Sequence, residues 1–191
     1  ATFGKLMARL GYARYGAQGG DFGSGINRSL AVQDPTHMVG LHLNFCLAGA
    51  PTGVADPNAG LPPAELEKMR SRLFFKGDEQ GYSQIQGTRP QTLGYALNDS
   101  PVGQAAWIVE KFRAWCDCGG DVEKQFTKDE ILTNITVYWV TQTATSSARM
   151  YYESRNAGPP DTRRIEVPTA CAIFPRELIY QPRAWLEARM N

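Results

Sequence analysis

The amino-acid sequence predicts an α/β fold, a mostly parallel sheet interrupted by a helical insert. Three observations carry that prediction. A strand, a glycine-rich turn, a helix and a second strand follow one another between Tyr12 and Phe45, the βαβ order of a parallel sheet. A stretch of about 100 residues then carries almost only helical spacing. A late apolar run restores a strand pattern from Ile165 to Phe174.

The opening segment is amphipathic: Phe3, Leu6, Met7 and Leu10 fall at i, i+3, i+4 and i+7, and Gly11 supplies the stop. Tyr12 to Gln18 reads as a short strand, Gly19 to Gly25 as a glycine-rich turn, and Ile26 to Gln33 as a helix that Asp34-Pro35-Thr36 breaks. Met38 to Phe45 is apolar at nearly every position, as in a strand buried on both faces, with His42 a core imidazole inside it. Pro62-Pro63 opens a helix carrying Leu66, Met69 and Leu73. Ser100 is placed to cap a helix with Pro101 in its first position, and Val102, Ala105, Val109 and Phe112 then share a face. Thr127 and Glu130 have capping-box spacing ahead of Ile131, Leu132, Ile135 and Tyr138. The linker Asn156-Ala157-Gly158-Pro159-Pro160 precedes the last strand, and Pro182 to Arg189 starts a closing helix. The domain reading is a core of 1–49 and 159–191 around a lid of 50–158.

Composition narrows the function. With 20 Lys+Arg against 19 Asp+Glu, the chain lacks the basic excess of a nucleic-acid protein. At 42% hydrophobic and 10% aromatic it has the apolar mass for a core. No run of 18 apolar residues exists to span a membrane, and no secretory signal pattern is visible. The four cysteines are irregularly spaced, and Cys116-Asp117-Cys118 has no second Cys/His pair beside it. They read as reduced thiols of a cytoplasmic protein rather than a metal site. His37, after the Asp34-Pro35 break, reads as exposed.

The chemistry concentrates in Gly19-Gly20-Asp21-Phe22-Gly23, between a strand and a helix. Small-x-nucleophile-x-small is the pattern of the nucleophile elbow, a turn tight enough to require small residues on both sides of the nucleophile. Asp21 stands where Ser is usual. A carboxylate there is favoured by the helix dipole and can attack an electrophilic carbon to form an ester. The bland alternative is an N-cap Asp on an ordinary helix. A phosphate loop fits less well, because there is no GxGxxG or GK[ST] and a central carboxylate repels phosphate.

Further motifs join the elbow: Tyr15 to Gly23, Gly40-Leu41-His42-Leu43-Asn44, Gly81-Tyr82 with Ile85-Gln86, and Leu97 to Gly103. Leu132-Thr133-Asn134-Ile135 with Tyr138-Trp139, and Val167-Pro168-Thr169 with Phe174-Pro175, complete the set. Through essentially its whole length the chain resembles the microsomal-type epoxide hydrolases of the α/β-hydrolase superfamily. The resemblance implies an α/β-hydrolase core with a helical lid, and hydrolysis of an epoxide to a vicinal diol through an ester on an aspartate. It places the nucleophile at Asp21, two tyrosines that bind the epoxide oxygen at Tyr82 and Tyr151 (the latter the proton donor), and at Glu177 the acid that orients a histidine. The backbone N–H of Phe22 would serve the oxyanion of the ester intermediate. It implies no metal or organic cofactor, a small apolar epoxide and water as partners, no nucleic acid, and leaves a homo-oligomer open. Detoxification or aromatic-hydrocarbon catabolism is the implied role.

The chain departs from that family in places. The family's catalytic histidine falls beyond Asn191, and the upstream His-Gly-x-Pro motif and first strands are absent. Ala1 opens directly into a helical pattern, and the last residues carry no stop signal, so the chain reads as an internal fragment, cytoplasmic, with room for a membrane anchor outside it. Phe22 stands where many relatives carry Trp. That weighs against a haloalkane dehalogenase, the alternative with the same Asp nucleophile, whose halide commonly needs that Trp. The retained Asp21, Tyr82, Tyr151 and Glu177 weigh against a non-catalytic ligand-binding relative.

Overall fold

The computed structural model describes residues 2–72, 77–158 and 161–191. Ala1, Leu73, Pro159 and Pro160 of the sequence reading lie outside them. Contacts divide the chain into two compact units, Ala1–Lys76 with Pro160–Asn191, and Gly77–Pro159. Residues 57–72, which the sequence reading assigns to the lid, pack with the first unit. Trp185 Nε1 donates to the Pro57 carbonyl at 2.9 Å, and the Tyr180 hydroxyl to Glu65 at 3.2 Å.

The first unit is built on α1 (Thr2–Arg9), β1 (Tyr15–Gly19), α2 (Phe22–Gln33), β2 (Met38–Asn44) and α3 (Pro63–Ser71), completed by β3 (Thr169–Ala172) and α9 (Arg183–Arg189). The three strands form one parallel sheet in the order β1-β2-β3. Tyr15, Leu30, Met38, Leu41, Leu43, Ile165, Val167, Leu186 and Met190 share one core, so one face of the sheet packs on residues of α2 and the C-terminal segment. The β1–β2 register slips between Tyr15 and Gly16, where Met38 and Gly40 are the successive partners. Val39 is passed over, which lets Met38 join Leu41 and Leu43 on the packed side.

Several expectations are corrected here. β2 is buried on one face only: Val39 is 45% exposed and His42 is exposed rather than a core imidazole. The apolar composition anticipated cover on both faces, and among the described residues of this unit only one is covered. The last strand is four residues long, because Pro168 has no N–H to extend the ladder. Ile165 instead bridges Met190, while Ile173 and Phe174 are exposed. Phe3 and Leu6 of α1, and Leu10 just past it, are also exposed, and only Met7 packs on the core.

Cys46 and Cys171 are not reduced thiols but a disulfide. Cys46 lies two residues past β2, and Cys171 pairs in β3 opposite Leu43. Their Cα atoms are 6.0 Å apart, inside the range that a disulfide spans. No spacing rule exposes the pair, because 125 residues separate them.

The second unit comprises α4 (Gly81–Thr88), α5 (Pro90–Asp99), α6 (Pro101–Trp115), α7 (Lys128–Thr141) and α8 (Ala144–Asn156), with 3₁₀ turns at Asp78–Gln80 and Val122–Lys124. Both predicted caps form. Ser100 Oγ accepts from the Gly103 N–H at 3.0 Å. Thr127 and Glu130 make both bonds of the capping box, at 3.2 Å and 2.8 Å. The buried faces differ from the expected ones. Val102 and Leu132 are exposed, and Gln104 is the residue of α6 that is buried. Gly94 lets α5 approach α8: a Cβ there would stand 2.3 Å from Thr145 Oγ1 and 2.8 Å from its Cβ.

Two predictions follow from the core unit. Peptide mapping without reductant should yield a Cys46–Cys171 cross-linked peptide, and reduction should lower stability by roughly 2–5 kcal/mol, read as a fall in Tm. Burial first, and then the 2.5 Å hydrogen bond to Asp34, push the Tyr15 phenol up to about 12. The folded state holds that proton more tightly than the unfolded chain, so the contribution is whole below about pH 10 and is lost as pH rises towards about 12. Tyr15→Phe should flatten the loss of stability in that window, measured by urea unfolding.

Candidate active site

The turn between β1 and α2 holds Asp21 in a backbone conformation that side chains rarely adopt, with φ 48° and ψ −127°. Such strain is costly and persists only where surrounding contacts impose it. Gly19 imposes much of it. A Cβ there would stand 2.3 Å from the Gly23 carbonyl oxygen and 2.5 Å from Asn27 Nδ2. Asn27 Nδ2 also donates to the Gln18 carbonyl at 2.7 Å, locking the helix start to the strand end. The small residue is required on one side only: a Cβ at Gly23 would meet nothing within 4 Å. Two-sided smallness was the expectation, and the close approach is of Gly23 backbone to Gly19, not the reverse.

The bland alternative fails at this turn. Asp21 stands at the N-cap position of α2 but its side chain makes no capping bond, and it is exposed. The Ser24 N–H goes to the carbonyls of Gly20 and Asp21 instead, at 3.2 and 3.0 Å. The carboxylate is thus held at the positive end of a 12-residue helix without being spent on it.

Glu177 lies five residues past β3, half-buried, in a turn that its N–H closes onto the Phe174 carbonyl at 3.2 Å. Its Oε1 accepts from the Leu178 N–H at 3.1 Å. Asp21 and Glu177 therefore both follow the C-terminal ends of parallel strands, β1 and β3, about 10 Å apart across β2. That edge is where open α/β sheets bind ligands. His37 sits at the opposite edge: its carbonyl accepts from the Tyr15 N–H at the start of β1, and Nδ1 pairs with Asp34.

The second unit brings Tyr82 and Tyr151 together. Their rings meet edge to face at 5.7 Å, and Tyr82 meets Trp115 likewise at 5.3 Å. Both tyrosines line a cavity of about 590 Å³ with Trp107, Phe112, Trp115 and Phe126. Tyr152, next in sequence, is 42% exposed. Lys111 lies 5.2 Å from the Tyr82 ring centroid and 5.4 Å from that of Trp115. Glu79 Oε2 holds this arrangement, accepting from Trp115 Nε1 at 2.8 Å and Lys111 Nζ at 3.4 Å. The four Trp and the lid aromatics suggested an apolar pocket from the sequence, but sequence reasoning missed Lys111 and Glu79. A signal for Lys111 was present, since Trp107, Lys111 and Trp115 recur every fourth residue along one helix face.

Cys116 and Cys118 are free thiols. Burial first, and Cys118 second, push the Cys116 thiol up, away from the thiolate a metal would need. Among the described residues no cluster of three His, Cys, Asp or Glu could hold a metal ion, and no helix is long and apolar enough to cross a membrane.

No protein-family model matches the chain. A protein of Stigmatella aurantiaca, provisionally named an epoxide hydrolase, is 46% identical over 97% of the chain and 41% of its own length. Epoxide hydrolase 1 of Sus scrofa is 38% identical over 97% of the chain and 45% of its own length. Among solved structures, the juvenile hormone epoxide hydrolase of the silkworm Bombyx mori matches with a TM-score of 0.81 at 34% identity, over 98% of the chain and 49% of that structure. The chain spans less than half the length of these relatives.

The turn geometry predicts an asymmetric response. Gly19→Ala should destabilise the first unit strongly, because its methyl meets backbone that has nowhere to go. Gly23→Ala should be neutral or stabilising by up to about 1 kcal/mol, since it sits at the start of a helix with open space around it. Thermal melts of the two variants, followed by circular dichroism, make the comparison.

Proposed function

We propose, from the homology of this chain to the epoxide hydrolases of the α/β-hydrolase superfamily, whose fold it shares, that it carries the nucleophile and the oxygen-binding tyrosines of an epoxide-opening enzyme. One observation carries the reading: Asp21 is held by a strained turn at a helix N-terminus, its carboxylate uncommitted to capping.

In the first step an Asp21 carboxylate oxygen attacks a ring carbon of the epoxide. A carbon–oxygen ester bond forms, and the strained ring C–O bond breaks. The departing oxygen becomes an alkoxide, and Tyr82 and Tyr151 stabilise it, Tyr151 giving up its proton. Phenols suit this task, being protonated near neutral pH with an ordinary pKa of about 10, yet acidic enough to donate to an alkoxide. Two donors aimed at one developing charge act as an oxyanion hole does, each contributing a few kcal/mol.

In the second step water adds to the ester carbonyl and the diol leaves with one of water's protons, while the other returns to the Tyr151 phenolate, restoring the Asp21 carboxylate and the Tyr151 phenol. The Phe22 N–H would receive the oxyanion of the tetrahedral intermediate. Glu177 would orient the histidine that takes the proton from water. His37 is unsuited to that role. It lies beside the first residue of the five-residue β1, at the opposite end of that strand from Asp21, and its Nδ1 is paired with Asp34. The substrate is a small, largely apolar epoxide, in keeping with the aromatic cavity.

Asp21→Ala in the natural protein should abolish diol formation, and intact mass spectrometry during turnover should find the substrate mass on the peptide containing Asp21. A variant that turns over at the natural rate would sink the assignment. Tyr151→Phe should lower the rate of ester formation about 10–100-fold, as loss of one of two donors implies. Combining it with Tyr82→Phe should cost far more than either alone, measured by single-turnover kinetics.

A further inference from the structure

The aromatic cavity holds a polar group that the proposed reaction does not use. Gln86 sits one helical turn after Tyr82 on α4, lines the same cavity and is 7% exposed. Its side-chain amide has two chemically different ends, an acceptor oxygen and a donor NH₂. Trp107 decides between them. An indole N–H only donates, and Trp107 Nε1 lies 3.2 Å from Gln86 Oε1, so the oxygen is the end that turns to the indole. The N–H bonds of Nε2 remain, and no group among the described residues accepts them. Nε2 is open to the cavity rather than sealed in the core, so a ligand acceptor can reach it, and a ligand that displaces its water without accepting leaves it unpaired at a cost.

Among the other polar groups of the lining, Gln104 Oε1 is buried without a partner but can only accept, while the donors of Gln104, Ser147, Lys111 and Asn134 are committed or wet. Gln104 Nε2 donates to the Ile135 carbonyl at 3.1 Å, and Ser147 Oγ to the Ala144 carbonyl at 2.8 Å. Lys111 is held by Glu79 and, at 2.8 Å, by Glu110. Asn134 is exposed to solvent. Gln86 alone combines burial, a fixed orientation and unspent donors.

An epoxide oxygen offers two lone pairs, and in the proposed reaction two phenols take them. A third donor therefore serves a different atom. We infer that Gln86 binds a second oxygen of the substrate, an ether, ester or carbonyl oxygen carried on the frame of the epoxide. The inference rests on the proposed epoxide-opening reaction and narrows it: the cavity selects oxygen-substituted epoxides over pure hydrocarbon ones. Discrimination arises because a hydrocarbon substrate leaves the Gln86 N–H groups unpaired while excluding the water that would meet them.

Two matched epoxides test this, benzyl glycidyl ether and 2-(3-phenylpropyl)oxirane, which differ by one oxygen in place of a methylene. The natural protein and Gln86→Leu are compared on both, so the intrinsic reactivity of each epoxide cancels in the cycle. The expected result is that the kcat/KM ratio of ether to hydrocarbon falls about 3–10-fold in Gln86→Leu, through the ether rather than the hydrocarbon. Gln86→Glu keeps an acceptor for Trp107 but puts a carboxylate where the donors were, and it should lose the preference as fully. A ratio that neither variant changes overturns the inference. If the natural protein opens neither epoxide, the proposed reaction fails on its own, and the Gln86 subsite is then read by binding. Trp107 and Trp115 fluorescence would be titrated with benzyl methyl ether and its isostere propylbenzene. A natural preference for the ether that both variants lose supports the subsite, and equal preferences in all three proteins overturn it.

Discussion

The close backbone approach in the turn between β1 and α2, the carbonyl of Gly23 against the bare α-carbon of Gly19, governs most of what the first unit does. It brings the first turn of α2 onto the end of β1. The residue caught between them, Asp21, is driven to positive φ, which lifts its side chain off the helix it begins. An ordinary N-cap aspartate relaxes onto the N–H groups of its own helix and is chemically idle. Here the turn denies that relaxation, and the helix N-terminus still favours the negative charge. The strain is offset by packing farther along the same elements, where Leu30 and Ala31 of α2 are buried with Leu41 and Leu43 of β2.

The second unit answers a different problem, that of holding two tyrosine rings in a cavity without filling it. Gly94 allows α5 to lie close against α8, the helix that carries Tyr151. Tyr82 is then wedged between Tyr151 and Trp115, with Lys111 over its ring. Glu79 ties the lysine and the tryptophan to one carboxylate oxygen, so ring positions on two helices are set by one ionic group.

Local chemistry was legible in the sequence and long-range chemistry was not. The caps at Ser100 and Thr127 are read correctly because donor, acceptor and helix start lie within four residues of one another. The tight glycine-rich turn between β1 and α2 was legible for the same reason, but which glycine is obligatory was not, since that depends on which backbone atom approaches which. The Cys46–Cys171 bond and the exposure of His42 depend on strands brought together from distant parts of the chain. Apolar strand composition records what a strand tolerates on both faces, and β2 shows only one of them packed. Tyr82 and Tyr151 entered through resemblance. Gln86 stood inside a quoted motif without a role, because its meaning depends on Trp107, which no spacing links to it.

The disulfide has a mechanical consequence. Cys46 closes the first crossing of the sheet and Cys171 belongs to its last strand, so every residue of the helical unit lies within the loop that the bond closes. The two ends of the loop are pinned with their Cα atoms 6.0 Å apart. Tension arriving from the Cys46 side is borne by a covalent link before it reaches β2, whereas on the other side Thr169 and Ala170 of β3 lie inside the loop and meet it first. The helices can therefore fray, loosen or unfold in part without separating the strands at Cys171. Insertions and deletions within the loop fall under the same protection, so this part of the chain is free to vary in length and shape while the sheet edge that carries Asp21 and Glu177 keeps its spacing.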